Sequence, residues 1–385
     1  MATRYPFKEE PNQVLFEGNL CVRKVILNRP TKLNCLSFQM ISQMSKKLKE
    51  YEKDSNVKLV ILKGNGKAFC VGGDCVAFVH FCSAGNWTFG ASFYGKQLTL
   101  DYILATHDKT LVSLIDGMVM GGGAGLSMNG KFRVVTERAI FAMPEAALGT
   151  FPDVGASYFL SRLPGFFGEY LGLTGARLDG TEMVACGLAS HFVLSKDLPS
   201  LEKELDGVHS SDPANVSKVI NKFMKPKQPS ITSTSAFRSM DIINRCFSRK
   251  TVEEILSALE NEAENKADVW IVIAIKSMKA ASPTSLKIFL RSIREGRGQE
   301  LDQCLIREYR MNCHVMRKTV NNDFYEGCRA MLFEKDKHPK WEPSKLESVS
   351  NEMVNQYFTK VEDEDWEDLR IDAKSDKANL VRARL

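Results

Sequence analysis

The features that most constrain the fold are two glycine-rich segments, each placed after a short apolar run. Ala68–Asp74 reads AFCVGGD and follows a predicted strand, Val57–Leu62; Met120–Gly125 reads MGGGAG and follows another, Leu111–Ile115. Glycines after a strand suit a backbone that must approach another group closely. If the two strand ends converge, one amide from each turn can point at one carbonyl oxygen, as in an oxyanion hole. Taken alone, each segment is better explained as a tight turn or a close packing contact.

Two carboxylates, Glu145 and Asp153, lie eight residues apart among almost wholly apolar neighbours, and each directly follows a proline. An ionised carboxylate is costly to bury without a partner, so acids in such a setting usually have a chemical task or a firm hydrogen-bonding role. The alternatives are a helix N-terminal acid for Glu145 and a capping acid for Asp153. Together with the glycine segments, the two acids predict an enzyme that holds an oxyanion with amides and activates water with a carboxylate.

The order of predicted elements indicates an α/β fold with a helical C-terminal region. Apolar strands alternate with helices in the first half, where Ser37 is a candidate N-cap of a helix. Beyond a Pro-, Ser- and Lys-rich stretch at Lys225–Ser235 the pattern is helical, including a helix opened by Ser282-Pro283. We predict a catalytic core over 12–206, a mainly helical region over 207–358 and a charged tail over 359–385.

Composition and missing motifs exclude several functional classes. No run reaches the roughly eighteen apolar residues of a membrane span, and a net charge of +5 is too small to predict nucleic-acid binding. The chain lacks the G-x-S-x-G elbow and the phosphate-binding glycine loops. Ten cysteines occur without a C-x-x-C pair, which favours reduced thiols in an intracellular compartment and predicts no metal site.

Several segments together resemble the crotonase (enoyl-CoA hydratase/isomerase) superfamily over roughly residues 14–357. Within it, they resemble the branch that hydrolyses 3-hydroxyisobutyryl-CoA, especially its plant peroxisomal members. The segments are NRPTKLNCL (28–36), AFCVGGD (68–74), MGGGAG (120–125), FAMPE (141–145), FPDVGASYFLSRL (151–163), SPTSLKI (282–288), REYRM (307–311), FYEGCRA (324–330) and DKHPKW (336–341).

The resemblance implies a crotonase-like spiral of ββα units and a role for each matching residue. The amides of Val71 and Gly122 would form the oxyanion hole for a thioester carbonyl. Glu145 would be the catalytic carboxylate, and Asp153 would bind the acyl hydroxyl or assist proton transfer. Arg29 and Lys32 lie where this superfamily meets the CoA phosphates, although such residues are also ordinary on a protein surface.

One position favours hydrolysis over hydration. Enoyl-CoA hydratases carry a second glutamate where Gly125 stands, whereas Asp153 replaces a glycine of the hydratases. We therefore expect hydrolysis of 3-hydroxyisobutyryl-CoA, or a similar short β-hydroxyacyl-CoA, in valine catabolism. Glu145 would act as a general base or attack directly to give an anhydride, and no cofactor is expected. The rival hypotheses are hydratase or isomerase activity and a catalytically weak paralogue that binds acyl-CoA or a partner protein.

The chain departs from the family in the segment before the third strand. Where the hydrolases often read FFREEY, this chain reads FYGKQL, so Gln97 falls where a substrate-contacting glutamate can occur and Lys96 replaces an acid. Asp116 also stands where Asn or His is common. These changes bear on acyl specificity and turnover rate rather than on the fold.

The last three residues, Ala383-Arg384-Leu385, are a conservative variant of the S-K-L peroxisomal address. The first residues have no apolar segment and carry Glu9 and Glu10, which argues against a secretory signal or a mitochondrial presequence. We therefore expect import into peroxisomes through a receptor that binds this tripeptide, with a cytoplasmic location as the alternative. The superfamily often forms trimers or hexamers, so a homo-oligomer stays open.

Overall fold

The fold is given by a computed structural model that describes residues 11–83, 86–224, 230–265, 268–364 and 366–371. Within these ranges the strands are β1 (Val14–Gly18), β2 (Val22–Leu27), β3 (Leu59–Gly64), β4 (Ala68–Cys70), β5 (Thr110–Ile115), β6 (Met118–Met120), β7 (Phe132–Val135), β8 (Ile140–Ala142), β9 (Leu178–Asp179) and β10 (His191–Phe192).

The α-helices over the same ranges are α1 (Phe38–Lys53), α2 (Cys75–Ser83), α3 (Trp87–Ala105), α4 (Gly122–Met128), α5 (Ala156–Phe159), α6 (Phe167–Thr174), α7 (Gly180–Ala185), α8 (Leu198–Leu205), α9 (Pro213–Asn221), α10 (Met240–Phe247), α11 (Val252–Asn265), α12 (Val269–Ala280), α13 (Pro283–Gly296), α14 (Leu301–Arg317), α15 (Asp323–Cys328) and α16 (Asn351–Gln356). Ser37 caps α1, as predicted, by accepting a hydrogen bond from the Met40 amide.

The strands form two sheets that are filled alternately along the chain. The larger sheet has the order β1-β2-β3-β5-β7-β10, and the smaller one has the order β4-β6-β8-β9. Each of the pairs β3/β4, β5/β6 and β7/β8 therefore gives one strand to each sheet, and within each sheet these strands run parallel to one another. This is the predicted spiral of ββα units, and the crotonase-like α/β fold is confirmed.

The larger sheet is covered on both faces, which explains its continuous apolar strands. Along β3, Val60 and Leu62 belong to one buried cluster with α1, whereas Leu59 and Ile61 belong to a second with α8 and α9. This alternation follows from the two-residue period of a strand. The first cluster extends from Val14 to Val361, so helices after residue 206 pack on the same core. The predicted domain division stays a prediction.

Helices α3 and α14 lie side by side, and part of the predicted tail lies against them. The Trp366 ring stacks on Tyr309 with 6.1 Å between ring centroids and donates a hydrogen bond to Cys313 Sγ at 3.3 Å. Arg310 pairs with Asp368. Residues 366–371 are thus held on the body of the protein. The tripeptide Ala383-Arg384-Leu385 lies outside the described residues.

Candidate active site

The two glycine segments and the two acids meet at one small cavity of about 70 Å³. It is lined by Val71, Gly72, Gly73, Cys75, Phe78, Tyr94, Gln97, Gly121, Gly122, Pro144, Glu145, Leu148, Thr150, Asp153 and Phe324. Five of the seven predicted site residues therefore lie together, although they come from separate parts of the chain. The topology explains this, because parallel strands β4, β6 and β8 end at the same edge of the smaller sheet.

Glycine is required where the second glycine segment passes the acid. Gly121 has φ +49°, a left-handed conformation, and a Cβ built on it would lie 2.8 Å from Glu145 Oε1. In the first segment Gly72 has φ +98°, and its Cα lies 3.3 Å from the position of a Cβ on Gly122. The two turns are therefore in direct contact, as the oxyanion-hole hypothesis requires.

The backbone pairing of Leu36 shows which amide of the first turn faces the cavity. The Leu36 amide donates to Gly72 O at 2.7 Å, and the Asp74 amide donates to Leu36 O at 3.0 Å. Gly73 lies between these two bonds, so its own N–H points away from Leu36. The amide of Gly73 is thus a candidate donor beside that of Gly122, which begins α4. Nothing in the sequence distinguishes Gly73 from Val71 as the donor.

Glu145 opens a 3-10 segment, Glu145–Leu148, and is only 8% exposed. Among the described residues its Oε2 atom has no hydrogen-bond partner. Burial raises the pKa of this carboxyl well above its usual range, and the neighbouring Asp153 raises it further. A carboxyl group with raised proton affinity, held beside backbone amides in a cavity, has the properties of a general base.

Asp153 faces the same cavity and has a single side-chain partner among the described residues, Asn312 of α14, whose Nδ2 donates to Oδ2 at 2.8 Å. Burial and the nearby Glu308 raise the pKa of Asp153 to about 7, against the opposing effect of the bond from Asn312. Glu308 accepts hydrogen bonds from the amides of Gly155 (2.7 Å) and Ser157 (3.1 Å), so it holds the loop that follows Asp153. The sequence analysis missed both α14 residues.

Gln97 reaches the cavity from α3 and is 2% exposed. Its Nε2 atom lies over Gly122, in the space that a Cβ there would occupy. The side-chain amide is therefore beside the same turn that carries the Gly122 amide. This agrees with the predicted location of Gln97 near the substrate, and its contact with substrate stays a prediction.

Arg29 and Lys32 do not line the cavity, and the predicted contact of Arg29 with CoA stays a prediction. The Arg29 side chain is 6% exposed, donates from Nη1 to Cys35 O at 2.7 Å and pairs with Asp74 at 3.2 Å. Arg29 thereby holds Asp74, the residue that ends the first glycine turn. Lys32 is exposed in the turn Pro30–Lys32, where its predicted contact with CoA stays a prediction.

Among the described residues, no group of three or more His, Cys, Asp or Glu side chains is arranged to hold a metal ion. No helix within the same ranges is long and apolar enough to cross a membrane.

Comparison with known proteins agrees with this geometry. The profile of the enoyl-CoA hydratase/isomerase family matches residues 22–358. The chain is 55% identical to 3-hydroxyisobutyryl-CoA hydrolase 1 of Arabidopsis thaliana over 97% of this chain and 98% of the relative. It is also 43% identical to the small ribosomal subunit protein mS47 of the same plant, over 90% of this chain and 85% of the relative.

Among solved structures, the carnitinyl-CoA dehydratase of Mycobacterium thermoresistibile matches with a TM-score of 0.83 and 30% identity, covering 94% of this chain and 99% of that chain. The fold and the cavity thus define a protein of the crotonase class. The chain belongs to the enoyl-CoA hydratase/isomerase family, in the branch of the 3-hydroxyisobutyryl-CoA hydrolases.

Proposed function

We propose that this protein hydrolyses the thioester of 3-hydroxyisobutyryl-CoA, or of a similar short β-hydroxyacyl-CoA, to the free acid and CoA. The observation that carries the proposal is the cavity in which Glu145 and Asp153 lie beside two glycine turns. The name of the relative that is 55% identical supports the same reaction. In metabolism this step would belong to the breakdown of valine.

The thioester carbonyl oxygen is proposed to accept hydrogen bonds from Gly122 and from the first glycine turn. The sequence assigned the second donor to Val71, and the pairing of Leu36 favours Gly73 instead, because its N–H points away from that strand. Two fixed amides stabilise the negative charge that develops on this oxygen, and removing one such donor typically costs about 10²–10³ in rate.

Glu145 is proposed to be the catalytic carboxylate, by one of two routes. As a general base it takes a proton from water, the water oxygen bonds to the carbonyl carbon, and the CoA thiolate leaves. As a nucleophile its oxygen bonds to that carbon and expels the thiolate, and water then hydrolyses the resulting anhydride. Both routes require only substrate and water, so the proposal includes no cofactor. Hydrolysis in ¹⁸O-water under single-turnover conditions separates them, because only the anhydride route can transfer the label to Glu145.

Asp153 and Gln97 are proposed to select the acyl group. A carboxyl group and a side-chain amide line the same cavity as Gly122, where both can bond to a substrate hydroxyl. A site built around a hydroxyl group strongly rejects analogues that lack it, because its polar groups are then left unpaired. Exposed Lys32 is the proposed contact for the CoA phosphates.

The test is an acyl-CoA panel in which free thiol and loss of the double bond are both followed. Thiol release from 3-hydroxyisobutyryl-CoA, with crotonyl-CoA left unchanged, supports hydrolysis. Hydration of crotonyl-CoA without thiol release would instead assign the hydratase chemistry suggested by the dehydratase of similar structure. Binding of acyl-CoA without turnover would favour the non-catalytic alternative, for which the resemblance to a ribosomal protein is the motivation.

The proposed location is the peroxisome, reached through a receptor that binds Ala383-Arg384-Leu385. Deleting these three residues should move a fluorescently tagged protein from peroxisomes to the cytoplasm. An unchanged distribution would contradict the proposal. A second copy of the chain stays an open partner, and sedimentation of the purified protein tests it.

A further inference from the structure

Asp101 is a buried acid that the proposed reaction does not use. It lies on α3, is 0% exposed, and neither carboxyl oxygen has a hydrogen-bond partner among the described residues. It does not line the cavity. An unpaired buried carboxyl group destabilises a fold strongly when it is charged and appreciably even when it is neutral. A position that breaks this rule without local compensation is a candidate for a functional role.

The carboxyl group of Asp101 lies against Gly125, the position at which the sequence analysis distinguishes this chain from the hydratases. Gln97 and Asp101 are one turn apart on α3, and they face Gly122 and Gly125 of α4. A Cβ built on Gly125 would lie 2.9 Å from Asp101 Oδ2. The absence of a side chain at 125 therefore leaves room for a carboxyl group that enters from α3.

Asp101 is one of three buried carboxyl groups that accept different numbers of hydrogen bonds. Glu308 accepts two backbone amides and the hydroxyl of Ser157, and Arg307 adds a favourable charge. Asp153 accepts one bond, from Asn312. Asp101 accepts none, so it is the group that ionises least readily.

The charges around Asp101 all act in the same direction. Asp153, on the loop before α5, and Glu308, on α14, raise its pKa, and burial raises it most of all. On β4 the group that senses its charge is the Cys70 thiol, which carries no compensating positive charge. Burial and these charges therefore favour the neutral acid over its anion.

We propose that Asp101 is a positioning residue for Asp153: a neutral carboxylic acid behind the cavity that spares Asp153 and the developing oxyanion a further negative charge. This role rests on the proposed hydrolytic function. When Asp101 loses its proton at high pH, the new anion opposes both groups. Asp101 thereby sets an alkaline limit to activity without touching the substrate.

The test uses D101N, which keeps the shape of the neutral acid but cannot ionise. One pH unit above the alkaline midpoint of the wild type, the wild type should retain about a tenth of its maximal kcat/KM, as for a single titration. D101N should retain most of its own maximum there, with KM little changed. Its melting temperature should equal or exceed that of the wild type, because an unpaired buried acid has been removed. The matched control is S113A, which also removes an unpartnered buried polar atom, on β5 away from the cavity; it should leave the pH profile unchanged.

An infrared measurement gives a readout that needs no turnover. The infrared difference spectrum between the wild type and D101N at neutral pH should show the carbonyl band of one protonated carboxylic acid. A difference spectrum without that band, or a D101N pH profile that superimposes on that of the wild type, would overturn the proposal. Failure of the proposed function is seen separately, as a wild type that releases no thiol from 3-hydroxyisobutyryl-CoA.

Discussion

Two concave regions of this protein hold acids whose pKa values are shifted in opposite directions. The cavity holds Glu145 and Asp153, both buried, with few partners and raised pKa values. A larger groove of about 520 Å³ lies beside α8 and holds Glu202, which pairs with Lys24 at 3.0 Å and Lys63 at 2.7 Å. These partners lower the pKa of Glu202 although burial opposes them. The comparison teaches that incomplete pairing of buried acids identifies the reactive site better than cavity size does.

The largest effect should follow from removing the cavity acid. E145Q keeps the shape of the side chain but cannot accept a proton, so kcat for thioester hydrolysis should fall by about 10²–10⁴. Its stability should not decrease, because an unpartnered buried carboxyl is replaced by a neutral amide. Thiol release and thermal unfolding check both expectations.

The matched control for E145Q is E202Q in the groove, where kcat should be unchanged. If E202Q lowers kcat as much as E145Q does, pairing does not distinguish the two regions.

The next effect concerns the glycine turn over Glu145. In G121A the new Cβ would lie 2.8 Å from Glu145 Oε1, so the carboxyl must move. A displacement of this kind typically costs about 10²-fold in kcat. Alanine at positive φ also destabilises the fold by about 1–3 kcal/mol.

G187A separates strain from displacement. Gly187 has φ +90°, and a Cβ there would meet nothing within 4 Å. The G187A variant should therefore be less stable than the wild type but keep its kcat. Equal kcat in G121A and G187A would show that contact with Glu145 is not what requires glycine at 121.

The sequence was sufficient for features that depend on local pattern. The strand predicted at Val57–Leu62 and the Ser37 cap follow from local chemistry, and the structure has β3 at Leu59–Gly64 and the cap at Ser37. The two glycine turns and Glu145 come after β4, β6 and β8, which are strands of one sheet.

Long-range partners could not be predicted in this way. Asn312 lies 159 residues from Asp153, and nothing in its own helix indicates which loop it meets. The same limit explains Arg29, whose inward orientation depends on Asp74, and the choice between Val71 and Gly73, which depends on the pairing of Leu36.

The two regions should also differ in the sign of their effect on stability with pH. Asp153 has a pKa of about 7 when folded, against an ordinary value of 3.8. The folded protein therefore keeps a proton that the unfolded chain releases, so this residue makes the free energy of unfolding fall as pH rises between these values. Glu202 has a lowered pKa, so its contribution is present above 4.5 and is lost as pH falls.

Urea unfolding of D153N and E202Q across this range checks the difference. D153N should lose less stability than the wild type as pH rises, and E202Q should lose less as pH falls. If the free energy of unfolding changed with pH in the same way in both variants, the pKa values of the two acids would not be shifted in opposite directions.

The smallest effect is expected for the ion pairs of the groove. Replacing Lys63 by methionine keeps its aliphatic length but leaves Glu202 with only Lys24. The cost should be about 1 kcal/mol or less, because one of two partners remains and the groove is open to solvent. Chemical denaturation measures it, and a loss of hydrolytic activity in K63M would assign the groove a role in the reaction.

The central claim is that Glu145 and Asp153 form a site for a hydroxylated acyl thioester. The most direct test is the ratio of kcat/KM for 3-hydroxyisobutyryl-CoA to that for isobutyryl-CoA, measured by thiol release with the wild type and with D153A. A site built around the hydroxyl group predicts a wild-type ratio of about 10⁴ that falls by about 10² or more in D153A. Equal rates for the two thioesters, or a ratio that D153A leaves unchanged, would contradict the account.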